Sequence, residues 1–131
     1  MGVNAFLLDT HILLWWLFDD PKLSSPAKKA ITSPDAKIWV SSVSGWEIAI
    51  KHRLGKLPHV GTLIQSLPLH IKHERFEVLP ISLEHTLAAG KLAGAHKDPF
   101  DRMLIAQARL EKLTLISNDR LFRKYKVSLL W

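Results

Sequence analysis

Cysteine is absent from the 131-residue chain. That excludes a disulfide framework, a thiolate zinc site and a cysteine nucleophile, and it fits a reducing compartment. A membrane-length apolar run is also missing. The longest near the start, Ile12 to Phe18, is far short of the roughly 20 residues that a bilayer requires. Asp9 and His11 precede it where a signal peptide would carry Lys or Arg, so no targeting segment is read there. Internal repeats, low-complexity segments and domain linkers are lacking too. The expectation is one soluble, cytoplasmic domain spanning residues 1–131, with no membrane association.

Hydrophobic residues make up 47% of the chain and charged residues 23%, an ordinary globular balance with enough length for a sizeable core. The formal net charge is +6, which points to a polyanionic partner, either nucleic acid or an acidic protein. Surplus Lys and Arg are common on plain surfaces, so charge alone decides little. More informative is where the few acids stand.

Residues Ala5–Leu8 form a short apolar run that predicts a buried strand, followed by a helix over His11–Phe18. Ser25-Pro26 reads as an N-cap followed by proline at the first helical position, opening a helix to about Thr32. Lys37–Ser41 predicts a second strand. Ser44-x-x-Glu47 has capping-box form, with a helix to Leu54 ended by Gly55. His59–Glu74 reads as helix interrupted at Pro68, and Phe76–Leu79 as a third strand. Ser82 caps a helix to about Leu92, Gly94–Lys97 is a loop, and Asp98-Pro99 opens a helix to about Lys112. Thr114–Ser117 and Val127–Leu130 predict the last strands, with a helical turn at Arg120–Lys124 between them. Alternating strands and helices imply an α/β fold: a three-layer α/β/α sandwich around a mainly parallel sheet of about five strands.

Asp9, Glu47, Asp101 and Asp119 all stand where the chain leaves a strand or enters a helix. In a parallel α/β sheet the C-terminal strand ends converge on one crevice, where ligands bind. Carboxylates gathered there repel one another unless a hard cation such as Mg²⁺ neutralises them. Each has a plainer reading. Asp9 suits an N-cap, and Glu47 suits the N3 partner of Ser44. Against that, Glu47, Ile50 and Leu54 share a helical face that would turn the carboxylate inward. Asp98 before Pro99 reads first as a cap, whereas Asp101 shares a face with Ile105 and Ala108 and points to the buried side, where an unpaired carboxylate is expensive. Asn118-Asp119 is also ordinary turn chemistry. Thr10 and Ser117 could support neighbouring acids or a water.

At these residues the chain resembles the PIN-domain ribonucleases, and most closely the VapC-type toxins of bacterial toxin–antitoxin pairs. The resemblance rests on Leu7-Leu-Asp-Thr-His11, Leu13-Leu-Trp-Trp16, Ser41 through Trp46-Glu47, His96-Lys-Asp-Pro-Phe-Asp-Arg102 continuing to Ala108, and Leu115-Ile-Ser-Asn-Asp119. It implies Asp9, Glu47, Asp101 and Asp119 as metal-binding, catalytic acids for Mg²⁺, with Mn²⁺ as a substitute. Ser117 is the usual hydroxyl beside the last, and Asp98 is either a ligand or only a cap. It implies hydrolysis of RNA by a metal-activated water, leaving a 5′-phosphate and a 3′-hydroxyl, with Arg102, Lys51 and Arg120 as candidate phosphate contacts. It further implies an antitoxin partner, for which Trp15 and Trp16 are candidate contacts unless they belong to the core, and a homodimer. An aspartyl-phosphate phosphatase would need Asp-x-Asp, and position 11 is His. The competing readings are an RNA-processing nuclease that is not a toxin and a non-catalytic binding module with a vestigial site.

Overall fold

The computed structural model describes residues 4–94 and 98–131. Of the loop expected at Gly94–Lys97, residues 95–97 lie outside them. In chain order the elements are β1 (Ala5–Leu8), α1 (Thr10–Leu17), α2 (Ser25–Thr32), β2 (Lys37–Ser41), α3 (Ser42–Arg53) and a 3-10 turn (Pro58–Val60). They continue with α4 (Gly61–His73), β3 (Glu77–Leu79), α5 (Leu83–Lys91), α6 (Pro99–Leu110), β4 (Thr114–Ile116), a second 3-10 turn (Arg120–Lys124) and β5 (Leu129–Leu130). The five strands form one sheet in the order β3-β2-β1-β4-β5. All four pairings are parallel, as strand–helix alternation predicts.

The layers follow from side-chain alternation along each strand. Leu8 of β1 and Ile116 of β4 face a core built with Ile12, Ala27, Leu63 and Leu67 of α1, α2 and α4. Their neighbours Leu7 and Leu115 face the opposite core, with Leu104, Ile105 and Ala108 of α6 and with Phe122. Leu7 and Leu8 are both fully buried, as expected of a central strand covered on both faces. Helix α3 belongs to both sides, sending Val43 to one core and Ile48 to the other. Among the described residues no helix is long and apolar enough to cross a membrane.

Several local expectations need correction. Helix α2 is capped by Ser24, whose hydroxyl accepts from the Ala27 amide at 3.2 Å, and Pro26 takes the second position. Helix α3 is capped by Ser41, not Ser44: β2 runs into the helix without a loop, so the last strand residue also accepts from the Val43 amide at 3.0 Å. Glu47 has no capping-box role. Nor does its inward stripe hold, because Leu54 is exposed; the buried positions are Val43, Ser44, Glu47 and Ile48. Helix α4 passes through Pro68 unbroken, with Leu63, Leu67 and Ile71 packed on the core to either side of it. Helix α6 stops at Leu110, and β3, β4 and β5 are shorter than their apolar runs suggest. Trp15 and Trp16 pack half-buried against the core, and the Trp16 indole N–H donates to Glu74 at 2.8 Å.

One buried polar group ties the layers together. Gln107 of α6 accepts the Ser41 hydroxyl at 2.6 Å, and its amide nitrogen reaches the Pro80 carbonyl at 3.3 Å and the His85 Nδ1 at 3.2 Å. His85 Nδ1 also accepts the Ser82 amide, closing the cap of α5.

Because Leu115 is fully buried in the sheet, Leu115→Ala is expected to lower stability by about 2–5 kcal/mol in urea unfolding. Val78→Ala, at a half-exposed position of β3, is expected to stay within about 1 kcal/mol. Equal losses would contradict this assignment of the core.

Candidate active site

The strand order reverses at β1: β2 and β3 lie to one side, β4 and β5 to the other. A crevice opens where the chain leaves β1 and β4 in opposite directions. Asp9 is the first residue past β1, and its amide donates to the Ile116 carbonyl at 3.1 Å, continuing the pairing into the site. Its side chain is buried, with both oxygens engaged. Oδ1 accepts the Thr10 amide at 2.7 Å, capping α1, and Oδ2 accepts the Ser117 hydroxyl at 2.7 Å. The same Ser117 oxygen accepts the Asp119 amide at 3.0 Å. Asp119 caps the second 3-10 turn, accepting from the Leu121 amide at 2.9 Å. The Thr10 hydroxyl pairs with Ser44 at 2.9 Å, joining α1 to α3.

From α3, Glu47 enters buried. Its Oε2 is bound by the Lys51 ammonium one turn on, while its Oε1 is buried with no hydrogen-bond partner. From α6 come Asp98, capping the helix through the Phe100 and Asp101 amides, and Asp101 in the first turn. Asp9, Glu47, Asp98, Asp101 and Asp119 line one cavity of about 270 Å³ together with Thr10, His11, Leu14, Lys51 and Leu57. A larger cavity of about 570 Å³ between α5 and α6 is lined by apolar and basic side chains without an acid, so chemistry rather than size selects the site.

The structure does not bring every candidate to this cavity. Arg102 turns the other way and donates to the Ala89 and Leu92 carbonyls at the end of α5, where a cation also complements the helix dipole. Arg120 is exposed on its turn and is not among the lining residues. Ser117 acts through Asp9 and Asp119 rather than on the cavity itself. His11, used above only to exclude Asp-x-Asp, does line it: Nδ1 lies 3.3 Å from Asp9 Oδ2, and Nε2 bonds the Asn118 side chain. The available signal was its place in the first turn of α1, two residues after Asp9, the acid that caps the helix.

The electrostatics are those of crowded, desolvated acids. Burial, then the charges of Asp9, Asp98, Glu47 and Asp119, push the Asp101 carboxyl up to about 8. Burial likewise raises Asp9, against the lowering influence of His11, Ser117 and Thr10. Burial would lower the Lys51 ammonium, but the Glu47 hydrogen bond and charge, helped by Asp98 and Asp101, hold it above its ordinary value. Among the described residues no three acids or imidazoles are already drawn together closely enough to hold an ion. The donor set is nonetheless all oxygen. The unpartnered Glu47 Oε1 and the raised Asp101 carboxyl are what a hard divalent cation would relieve.

Residues 6–127 match the family model for the PIN domain. Among curated proteins the chain is 27% identical over 130 residues to Ribonuclease VapC22 of Mycobacterium tuberculosis, covering 95% of this chain and 94% of that protein. Among solved structures it is similar to VapBC2 from Rickettsia felis bound to a DNA fragment from their promoter. There the TM-score is 0.69 at 18% identity, over 96% of this chain and 97% of that one. A toxin–antitoxin complex from Klebsiella pneumoniae is also similar, with a TM-score of 0.63 at 20% identity over 95% of both chains. At these identities the structural likeness establishes the fold.

Asp101 gives the pH dependence a sign. Between the usual aspartate value and about 8 the folded chain keeps a proton on Asp101 that the unfolded chain has released. Stability of the metal-free protein therefore falls as pH rises through that window, and the raised Asp9 adds to the slope. Thermal unfolding in EDTA is expected to move to lower temperature from about pH 5 to about pH 8. Asp101→Asn is expected to flatten that slope, and Mg²⁺ to raise the melting temperature most at the alkaline end. A melting temperature that rises with pH in EDTA would contradict the assignment.

Proposed function

The chain belongs to the PIN-domain family, and from that premise we propose that it is a Mg²⁺-dependent endoribonuclease acting as the toxin of a toxin–antitoxin pair. The observation that carries the reading is the set of five carboxylates lining one cavity at the reversal of the sheet order, with one buried oxygen left unpartnered. Asp9, Glu47 and Asp101 would hold the ion, Asp119 would hold it directly or through water, and Asp98 stands beside them chiefly as a helix cap. Mg²⁺, or Mn²⁺ in its place, would supply charge neutralisation at the scissile phosphate and acidify the attacking water.

The chain's own residues do the rest. The Thr10 amide and Ser117 hydroxyl fix Asp9 so that its carboxylate does not rotate away as charge in the cavity changes. Lys51 neutralises part of the acidic cluster and, with an ammonium still partly in water, is the cation placed to meet a substrate phosphate. Attack of water at phosphorus with departure of the 3′ oxygen, which takes up a proton, would leave a 5′-phosphate and a 3′-hydroxyl. The relative named as a ribonuclease supports RNA as substrate. The structural relatives described as a VapBC pair and as a toxin–antitoxin complex support an antitoxin as protein partner. A homodimer and a cytoplasmic location belong to the same proposal.

Purified protein is expected to cleave RNA with Mg²⁺ and to stop in EDTA. Asp9→Asn and Asp101→Asn are each expected to slow cleavage by about 100-fold or more, ~2.7 kcal/mol of barrier. Equal rates in all three proteins would overturn the nuclease reading. Expression in a bacterial host without an antitoxin is expected to arrest growth, and Asp101→Asn to relieve the arrest; unimpeded growth with the unaltered chain counts against the toxin role.

A further inference from the structure

Trp46 is the most exposed tryptophan among the described residues, with 60% of its surface in water. It precedes Glu47 on α3. Its ring meets Phe100 edge to face, centroids 5.3 Å apart and planes at 77°. Phe100 lies between Asp98 and Asp101 in the first turn of α6 and is half-buried against the core beneath that helix. Trp46 is in neither core cluster. The two helices that present Glu47 and Asp101 to the cavity therefore also carry an aromatic pair, each ring one residue, about 3.8 Å of chain, from an acid.

Single exposed apolar side chains are ordinary, but this one has three further properties. Its partner ring is anchored, so the indole is held at an angle rather than swinging free. An edge-to-face contact occupies only part of an indole, and the exposure of 60% leaves the rest open. It is also uncharged, and although it does not itself line the cavity of five carboxylates, it adjoins that cavity through Glu47. A second phosphate placed there would be repelled by them, whereas a nucleobase is neutral and takes an aromatic face readily.

We propose that Trp46 stacks on an unpaired base of the RNA substrate flanking the scissile phosphate, and that Phe100 positions the indole. This rests on the nuclease reading above. In a duplex both faces of each base are already stacked on neighbours, so an indole has no face to take. Lys51 lines the cavity, and Arg53 and Lys56 follow it along the chain as exposed cations.

The test uses the full chain, a mixed-sequence single-stranded RNA carrying 2-aminopurine, and the same RNA annealed to its complement. In cleavage assays with Mg²⁺, Trp46→Ala is expected to raise KM about tenfold, ~1.4 kcal/mol, with kcat little changed. That is within what one stacked base contributes. Trp46→Phe should recover most of the loss, Phe100→Leu should reproduce part of it, and the annealed RNA should be cleaved poorly by every form. Binding to the slowly cleaving Asp101→Asn protein, read before cleavage sets in, should quench 2-aminopurine, and adding Trp46→Ala should remove the quench. Unchanged KM and quench in Trp46→Ala, with cleavage by the unaltered chain intact, would overturn the stacking role and leave the nuclease reading standing. Absence of cleavage by the unaltered chain would instead strike the nuclease reading, while the quench still reports on stacking. A change of sedimentation in Trp46→Ala with unchanged KM would overturn the proposal by assigning the indole to an interface between copies.

Discussion

Asp9 holds the site in place through two hydrogen bonds that satisfy one oxygen each, from the Thr10 amide and the Ser117 hydroxyl. The second joins the end of β1 to the end of β4 where the sheet order reverses, and the other acids are arranged around the carboxylate so fixed. Ser117 extends the connection by receiving the Asp119 amide, so the position of one acid determines the backbone of another. The arrangement is costly in the absence of a cation, since burial and mutual repulsion push Asp101 well above the aspartate range. Fold stability and site chemistry pull against each other here, as they commonly do where charge is stored for use.

Helix α3 gives that tension its mechanical support. It starts at the last residue of β2 with no intervening loop, so little backbone freedom separates the sheet from Glu47. Ser41, the residue at the junction, is fixed in turn by Gln107 of α6. The helices bearing Glu47 and Asp101 are thus joined through a buried hydroxyl–amide bond whose residues do not line the cavity, independent of whatever the acids hold. A carboxylate set connected only through its own ligand would relax apart without it; this one is kept together by the layers beneath.

The sheet was readable because β1 and β4 carry consecutive apolar residues in a chain where strands and helices alternate, a pattern that few folds accommodate. The acids were readable because strand ends and helix starts have recognisable local signals, which is how Asp98 was separated from Asp101. What escaped the sequence was mostly three-dimensional. Ser41 and Ser44 are equally good caps on paper, and only the direct strand-to-helix junction selects the first and frees the second for Thr10. Arg102 looked available for phosphate because nothing in its neighbourhood along the chain announces the α5 carbonyls that it meets. Pro68 looked like a break because its local cost is visible and the core contacts flanking it are not.

The sheet's margins carry a final consequence. The strands at its two edges are β3, three residues long, and β5, only two. An edge that short offers too few free amides and carbonyls to template another strand. Assembly by extending the sheet into a neighbour is therefore a poor route for this molecule, as is the runaway edge-to-edge stacking that longer margins invite. Recognition of another macromolecule is left to helix faces and loops, where side chains rather than backbone decide the match.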